Sequence, residues 1–587
     1  MTRWVGLCHR PETFDAEVLG PTRVRLRLRA PAGVRRAWVV ARDPYAPESA
    51  AAASPMTRAG AWDGLELFEA QVEVPTRRLA YRFHVRDAAG SAWLGEGGVA
   101  LAPTVAPFRL PYLFQELVHA VPRWAREAVF YHIFVDRYAR SPGVAPRPDW
   151  SPWGDRPTVD AVFGGSLRGI LEHAGDLEEL GVGAVQLTPI FAAPSNHKYD
   201  TTDFYRIDPA FGDETDLRAL VDGLHRRGIR VILDGVFNHV GAGFAPFADA
   251  LSRGEASPYR GWFTWRDDRV GYETFATGVG SMPKLRTSES AVADYLVEVA
   301  RHWMRKVEID GWRLDVANEV SPGFWRRFVD TVRTIRPDAF LAGEIWHGAE
   351  PWLRPGGFDA VTDYVWREAV VDYLARETLD AEGFAAALTR RRAMGRIEAG
   401  MTLVSSHDTP RFATLASGRL RTLVQALALE LTLPGIPVIF YGDEVGMEGG
   451  EDPDCRRTMV FEPGPAGRAV RLAVRRLIAL RRRHRELGGP DFQWIAVDGA
   501  RDRLAFRRPL PEGDVIVGLS RRSEGLWLRI PPAALRGVRS VHDVLADAPV
   551  TVVDGRVPIP PDRGLAVLEC SRNDGAAARP HEEEFSR

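Results

Sequence analysis

Four short apolar runs in this chain end on groups able to move protons or attack carbon. Val231-Ile-Leu runs into Asp234, with Asn238 and His239 just beyond. A second run ends on Arg313 and Asp315, a third on Glu344 with Trp346 two residues further, and a fourth leads into His407 and Asp408. Taken singly, an Asp after a strand is commonly a turn or helix cap. Structural carboxylates would scatter over both ends of a sheet, whereas these follow the same end of successive runs. With neither an HxH nor an HExxH spacing present, a metal centre is the weaker reading. Glycoside cleavage is the stronger one, since it needs a carboxylate and a carboxylic acid flanking the bond. In that chemistry Asp315 attacks the anomeric carbon and Glu344 protonates the leaving oxygen. Arg313 shares a strand face with Asp315, because strand periodicity is two, and its charge favours the ionised nucleophile. Trp346 is expected to give Glu344 an apolar wall. Asp408, His239 and His407 are candidates to bond sugar hydroxyls in the transition state.

Such groups can converge only if strand ends are aligned. From about residue 125, short apolar runs alternate with amphipathic stretches such as Leu217 to Arg227 and Val292 to Lys306. The runs include Val129 to Val135, Gly181 to Leu187 and Pro437 to Tyr441. About eight runs over ~350 residues predict an α/β fold, a closed (β/α)8 TIM barrel over 122–240 and 287–490. Residues 241–286 lack the repeat and are rich in Gly, Trp and Phe, which predicts an inserted domain after the third strand. Alternating segments such as Val24 to Leu28 and Phe68 to Val74 predict an N-terminal β-sandwich over 1–121, with Ala50 to Ala53 an exposed loop or disordered tip. Strand patterns return over 491–575 as a C-terminal β-sandwich, and 576–587 reads as a disordered tail.

Composition narrows the partners. The 587 residues carry 76 Lys+Arg and 78 Asp+Glu, a net charge of −2, which argues against nucleic acid. Seventeen Trp suit sugar faces as well as large cores. Three scattered cysteines, Cys8, Cys455 and Cys570, build no disulfide framework or zinc cluster. The N-terminus lacks a signal-type apolar run and no stretch approaches a membrane span, so a cytoplasmic protein is expected.

The strings DGVFNH (234–239), GWRLDVANE (311–319), GEIWH (343–347) and SSHDTPR (405–411) occur in an order that resembles the α-amylase family of glycoside hydrolases. MPKL (282–285), NHKYDT (196–201), the ANE tail and GGEDPDCRR (449–457) resemble its cyclomaltodextrinase, neopullulanase and maltogenic amylase branch. The resemblance implies Asp315 as nucleophile, Glu344 as acid/base and Asp408 as transition-state stabiliser. It implies Arg313, His239, His407 and Tyr199 around the reacting sugar, with His197 beside Tyr199. Trp346, Asn318 and Glu319 fall on the acceptor side, and Asp452 and Arg456 on the donor side. Asp234 and Asn238 hold the architecture. It further implies retaining hydrolysis of α-1,4-glucosidic bonds in cyclomaltodextrins and short maltooligosaccharides, pullulan included, with some transglycosylation. A homodimer formed through the N-terminal domain is implied as well. The alternatives are an α-glucosidase or transglucosidase of the same family, or a non-catalytic scaffold. Some relatives bind calcium through an Asn-Gly-Asp-rich loop after the first strand and a Gly-Gly-Asp turn. Here those segments read Ala139-Arg-Ser-Pro-Gly143 and Gly164-Gly165-Ser166, so no metal or other cofactor is assigned.

Overall fold

The computed structural model describes residues 2–522 and 526–572, so the tail expected over 576–587 lies outside the described residues. Eight short parallel strands form the centre of the chain. They are β1 (Phe130–Ile133), β2 (Ala184–Leu187), β3 (Arg230–Gly235), β4 (Gly311–Leu314), β5 (Phe340–Gly343), β6 (Ala360–Thr362), β7 (Gly400–Thr402) and β8 (Ile436–Phe440). They pair in sequence and β8 pairs back onto β1, which closes the barrel. Most of these strand residues are buried on both faces, which is why the runs read as continuously apolar.

Strand alternation sorts the side chains into two cores. Phe130, Ala184, Ile232, Phe340, Ala342, Met401 and Ile436 pack together inside the barrel. Tyr131, Val185, Leu187, Leu233, Trp312 and Leu341 face the surrounding helices. The interior is therefore filled, and reactive groups are confined to the rim where strands end. The helices that cover the outside follow the amphipathic reading. Glu214–His225 starts in a capping box formed by Asp213 and Asp216 and buries Leu217, Leu220, Val221 and Leu224. Ser290–Lys306 buries Leu296, Val299, Ala300 and Trp303 on one face.

The inserted segment holds one α-helix, Ala245–Arg253, two 3-10 turns, Gly254–Ala256 and Arg260–Trp262, and isolated β-bridges. Its own core is aromatic: the Phe247 ring meets Phe263 at 4.9 Å and Tyr272 at 4.8 Å. The bridge His239↔Lys284 ties its last residues to the rim after β3.

The N-terminal region is two antiparallel sheets around Val24, Leu26, Leu28, Phe68, Tyr81 and Phe83. A buried ion network docks it on the barrel. Glu17 accepts from Arg25 (3.0 Å) and Arg27 (3.3 Å) of its own domain and from Arg396 (2.5 Å) of the barrel. Glu69 likewise joins Arg27 to Arg392. Beyond the barrel, a six-stranded antiparallel sheet packs against the pair Leu526–Arg529 and Arg556–Ile559. Among the described residues no helix is long and apolar enough to cross a membrane.

Two local expectations change. Of Ala50 to Ala53, expected as an exposed loop or disordered tip, Ala52 and Ala53 belong to an edge strand, Ala52–Pro55, paired with Arg36–Arg42. Its ladder uses backbone groups and its side chains are exposed or half-buried, so no alternation marks it. The run Val129 to Val135 breaks after Ile133, and Val135–Tyr138 turns into a short helix.

Candidate active site

The register of the barrel sets the first contact. Asp234 lies directly opposite Arg313 across the β3–β4 pair. Arg313, 2% exposed, then serves three carboxylates. Its Nη1 donates to both Asp234 oxygens at 2.9 Å and to Asp315 Oδ1 at 2.6 Å. Its Nη2 stands 2.9 Å from Glu344 Oε1. One guanidinium thus holds the ends of β3, β4 and β5 together.

Glu344 is bound from two further sides. The Val316 N–H donates to Oε2 at 3.0 Å. Val316 has φ +44°, a left-handed conformation that β-branched residues rarely adopt. Strain at such a position is typical of functional sites, and here it sits next to Asp315. The Trp346 indole N–H donates to Glu344 Oε1 at 3.1 Å. Trp346 therefore gives Glu344 its polar edge, not the apolar wall expected from sequence. Its face instead stacks on Tyr364 at 3.7 Å and 7°. Tyr364 was not a candidate because β6, the strand before it, is too short to show a run.

A second chain of contacts crosses the rim. The Tyr199 hydroxyl donates to Asp234 Oδ2 at 3.0 Å and lies 2.6 Å from His407 Nε2. The two rings are parallel within 3°. With the Tyr199 proton committed to Asp234, the remaining bond makes His407 the Nε2-protonated tautomer. Its Nε2 also faces Asp408 Oδ2 at 3.1 Å. His197 lies beside Tyr199, whose backbone N–H donates to its Nδ1 at 3.2 Å. His239 packs on Phe275 of the insertion with ring centroids 4.7 Å apart. Asn238 Oδ1, His239 Nε2 and His407 Nδ1 are buried and have no hydrogen-bond partner among the described residues.

The donor-side residues meet the rim through Arg456. Its Nη2 is 3.3 Å from Asp408 Oδ1, its Nη1 is 2.9 Å from Asp452, and its Nε donates to the His407 carbonyl at 2.7 Å. On the other side, Asn318 and Glu319 are exposed, and Glu319 pairs with Lys284 of the insertion at 2.9 Å. Phe275 and Lys284, the latter within the MPKL string, are further rim residues. All the candidate residues thus lie on the rim or the loops around it. A cleft of about 980 Å³ between Thr57–Trp62, Ala381–Met394 and Gln493–Asp498 contains none of them.

Burial dominates the electrostatics. It pushes the Asp315 carboxyl well above its ordinary range; Arg313 opposes this, and Glu344 and Asp234 add to it. Burial likewise pushes Asp234 up to about 6 against the pull of Arg313. Arg313 does not by itself secure the ionised Asp315 expected from sequence, because burial outweighs its charge and that charge is shared among three carboxylates. Asp234 and Asp315 thus hold their protons to higher pH than isolated carboxylates do. Burial also pushes His407 well below its usual value and His239 down to about 3, so both imidazoles are neutral at pH 7. Asp408 is raised by burial and lowered by Arg456.

Comparison with known proteins gives the family. Residues 132–462 match the family model described as alpha amylase, catalytic domain, and residues 4–114 match the alpha amylase N-terminal ig-like domain. The chain belongs to the α-amylase family. Within the family it is a cyclomaltodextrinase/neopullulanase-like glycoside hydrolase. It is 42% identical over 534 residues to neopullulanase 2 of Thermoactinomyces vulgaris, covering 88% of this chain and 91% of that protein. It is 36% identical over 530 residues to the intracellular maltogenic amylase of Bacillus subtilis, with 87% and 90% covered. A solved cyclomaltodextrinase superposes with TM-score 0.90 at 34% identity, covering 96% of this chain and 99% of that one.

The Arg456 contacts yield a prediction for this α-amylase family rim. Arg456→Gln should lower kcat/KM by about 10- to 100-fold, the size of a lost charged hydrogen bond. Without Arg456 the Asp408 carboxyl rises further, so the acid limb of the pH–rate profile should move to higher pH. Arg456→Lys should recover part of both effects. An unshifted profile in the Gln variant would show that Arg456 acts on substrate alone.

Proposed function

We propose that the chain hydrolyses α-1,4-glucosidic bonds of cyclomaltodextrins and short maltooligosaccharides with retention of configuration, passing part of the product to sugar acceptors. The observation that carries the reading is the Arg313 guanidinium with Asp315 on one amino nitrogen and Glu344 on the other. Carboxylates held on one guanidinium suit the close pairing of a retaining enzyme, ~5–5.5 Å, better than the ~6.5–9.5 Å gap that an inverting enzyme fills with water.

Asp315 attacks the anomeric carbon while Glu344 passes its proton to the glycosidic oxygen, which leaves with the acceptor-side sugar. The bond from Asp315 to carbon is then broken by water, or by a sugar hydroxyl, with Glu344 taking the incoming proton. Asp408 and the neutral His239 and His407 bond ring hydroxyls as the sugar flattens. Trp346 and Tyr364 offer a stacked aromatic surface for the acceptor sugar. Asp452 and Arg456 bound the donor side. Pullulan is a further candidate substrate, supported by the relative named neopullulanase. A homodimer built through the N-terminal domain and a cytoplasmic location belong to the same reading. The first rests on resemblance to the branch, the second on the relative described as intracellular.

The test of retention is azide rescue. In Glu344→Ala, an activated aryl α-maltoside should still form the Asp315 ester, and azide should then release it as the α-glycosyl azide. A β-azide, or no rescue in a folded variant, would overturn the assignment. Products from β-cyclodextrin, pullulan and maltose in parallel would rank the substrates, and light scattering on the full chain would report the dimer.

A further inference from the structure

The loop leaving β1 and the Gly164-Gly165-Ser166 turn meet edge to edge. Arg140 and Gly165 form a β-bridge, the Ser166 N–H donates to the Ala139 carbonyl at 2.9 Å, and the Ser141 and Ser166 hydroxyls are 2.7 Å apart. These are the two segments through which some relatives hold calcium. Calcium takes six to eight oxygen ligands, and the donor set here does not fit it. The nearby Asp136 carboxylate is engaged by Arg137 at 2.6 Å and by the Phe163 and Gly164 N–H groups. The Ser166 hydroxyl already accepts from Gly169 N as the cap of helix Leu167–Glu172. Among the described residues no group of three or more His, Cys, Asp or Glu is placed to hold a metal ion.

A cation of the chain itself occupies the seam. Arg140 Nε donates to the Phe163 carbonyl at 2.6 Å and its Nη2 to the Ser151 carbonyl at 2.8 Å. The Trp150 and Trp153 rings lie 5.3 and 5.2 Å from the guanidinium carbon. The packing leaves little slack: a Cβ at Gly164 would stand 2.5 Å from the Trp150 ring, and one at Gly165 2.1 Å from the Val135 carbonyl. We propose that Arg140 is a built-in structural cation that joins these loops where relatives use calcium, so that the fold of this enzyme is independent of metal. Its fork gathers two carbonyls from distant points of one loop, as a hard cation would, but it is covalently attached and cannot be chelated.

The anchored loop matters to the donor side. Its Trp153 and Gly154 donate to Met459 O (3.2 Å) and Thr458 Oγ1 (3.0 Å), and Arg156 pairs with Asp454 at 2.9 Å. The Val159 and Ala161 carbonyls accept from Asn196 at 2.7 and 2.9 Å, next to His197.

Thermal unfolding and limited trypsin digestion of the full chain test the proposal. Wild-type Tm should be the same in excess EDTA and in excess calcium chloride. Arg140→Ala should lower Tm by about 2–5 °C and speed cleavage within 141–160. Arg140→Lys should fall between, because it keeps the charge and loses the two-carbonyl fork. A wild-type Tm that drops in EDTA and returns with calcium would overturn the proposal. So would an Arg140→Ala protein that melts and digests like wild type. The metal comparison needs no variant, so it decides the matter even where Arg140→Ala does not fold.

Discussion

Asp315→Asn should lower kcat on β-cyclodextrin by on the order of 10⁴–10⁶-fold, the range seen when a covalent nucleophile is removed, without lowering Tm. The two halves of this expectation have separate causes. Asn keeps the shape of Asp but cannot form the glycosyl ester. Stability should hold because Asp315 is one of three carboxylates drawing on a single guanidinium. Burial with Glu344 and Asp234 alongside holds its carboxyl well above the ordinary range, so its charged form costs the folded state more than the neutral amide does. Single-turnover sugar release checks the first half, and calorimetry checks the second. A variant retaining a few per cent of activity would remove Asp315 from the reaction. A large fall in Tm would mean that its ion pair with Arg313 outweighs the repulsion.

Arg313→Met should be the most damaging single change in the rim. It leaves Asp234, Asp315 and Glu344 buried without their shared cation, and breaking a buried ion pair from one side typically costs about 3–5 kcal/mol. Activity should vanish with it, since both reacting carboxylates lose the nitrogen that positions them. The loss should depend on pH in a defined direction. A carboxyl whose folded pKa is raised binds its proton in the folded chain before it does in the unfolded one. Stability therefore increases as pH falls through the folded value and levels off near the unfolded value. In wild type that window runs from about 6, the Asp234 value, down to ~3.9. In the variant the Asp234 and Asp315 carboxyls rise further, so the deficit against wild type should be largest at neutral pH and shrink towards pH 5. Denaturant unfolding at several pH values measures this. A deficit independent of pH would mean that lost packing, not exposed charge, explains the damage.

The proposed reacting groups could be named from sequence because their placement is local. A carboxylate at the end of a strand, and an arginine two residues before it, share a face by strand geometry alone. The alternation of runs and amphipathic stretches likewise specified a barrel, since a strand buried on both faces has few other homes. What lies between distant segments was not legible. Trp346 turned its indole N–H to Glu344 because Tyr364, from the far end of β6, takes its face. β6 itself spans Ala360–Thr362, too short to make a pattern. The edge strand Ala52–Pro55 pairs through backbone atoms that carry no side-chain signature.

From sequence alone came the family of chemistry, the three candidate carboxylates and the strands that carry them, because those follow from residue type, strand periodicity and the order of the family's motifs. Tertiary structure alone decided how the charge of Arg313 is divided, which edge of Trp346 meets the acid, and that Arg140 reaches the carbonyls of residues 151 and 163. Hydrogen bonds and ion pairs between segments far apart in the chain depend on ångström-scale distances that no local pattern encodes.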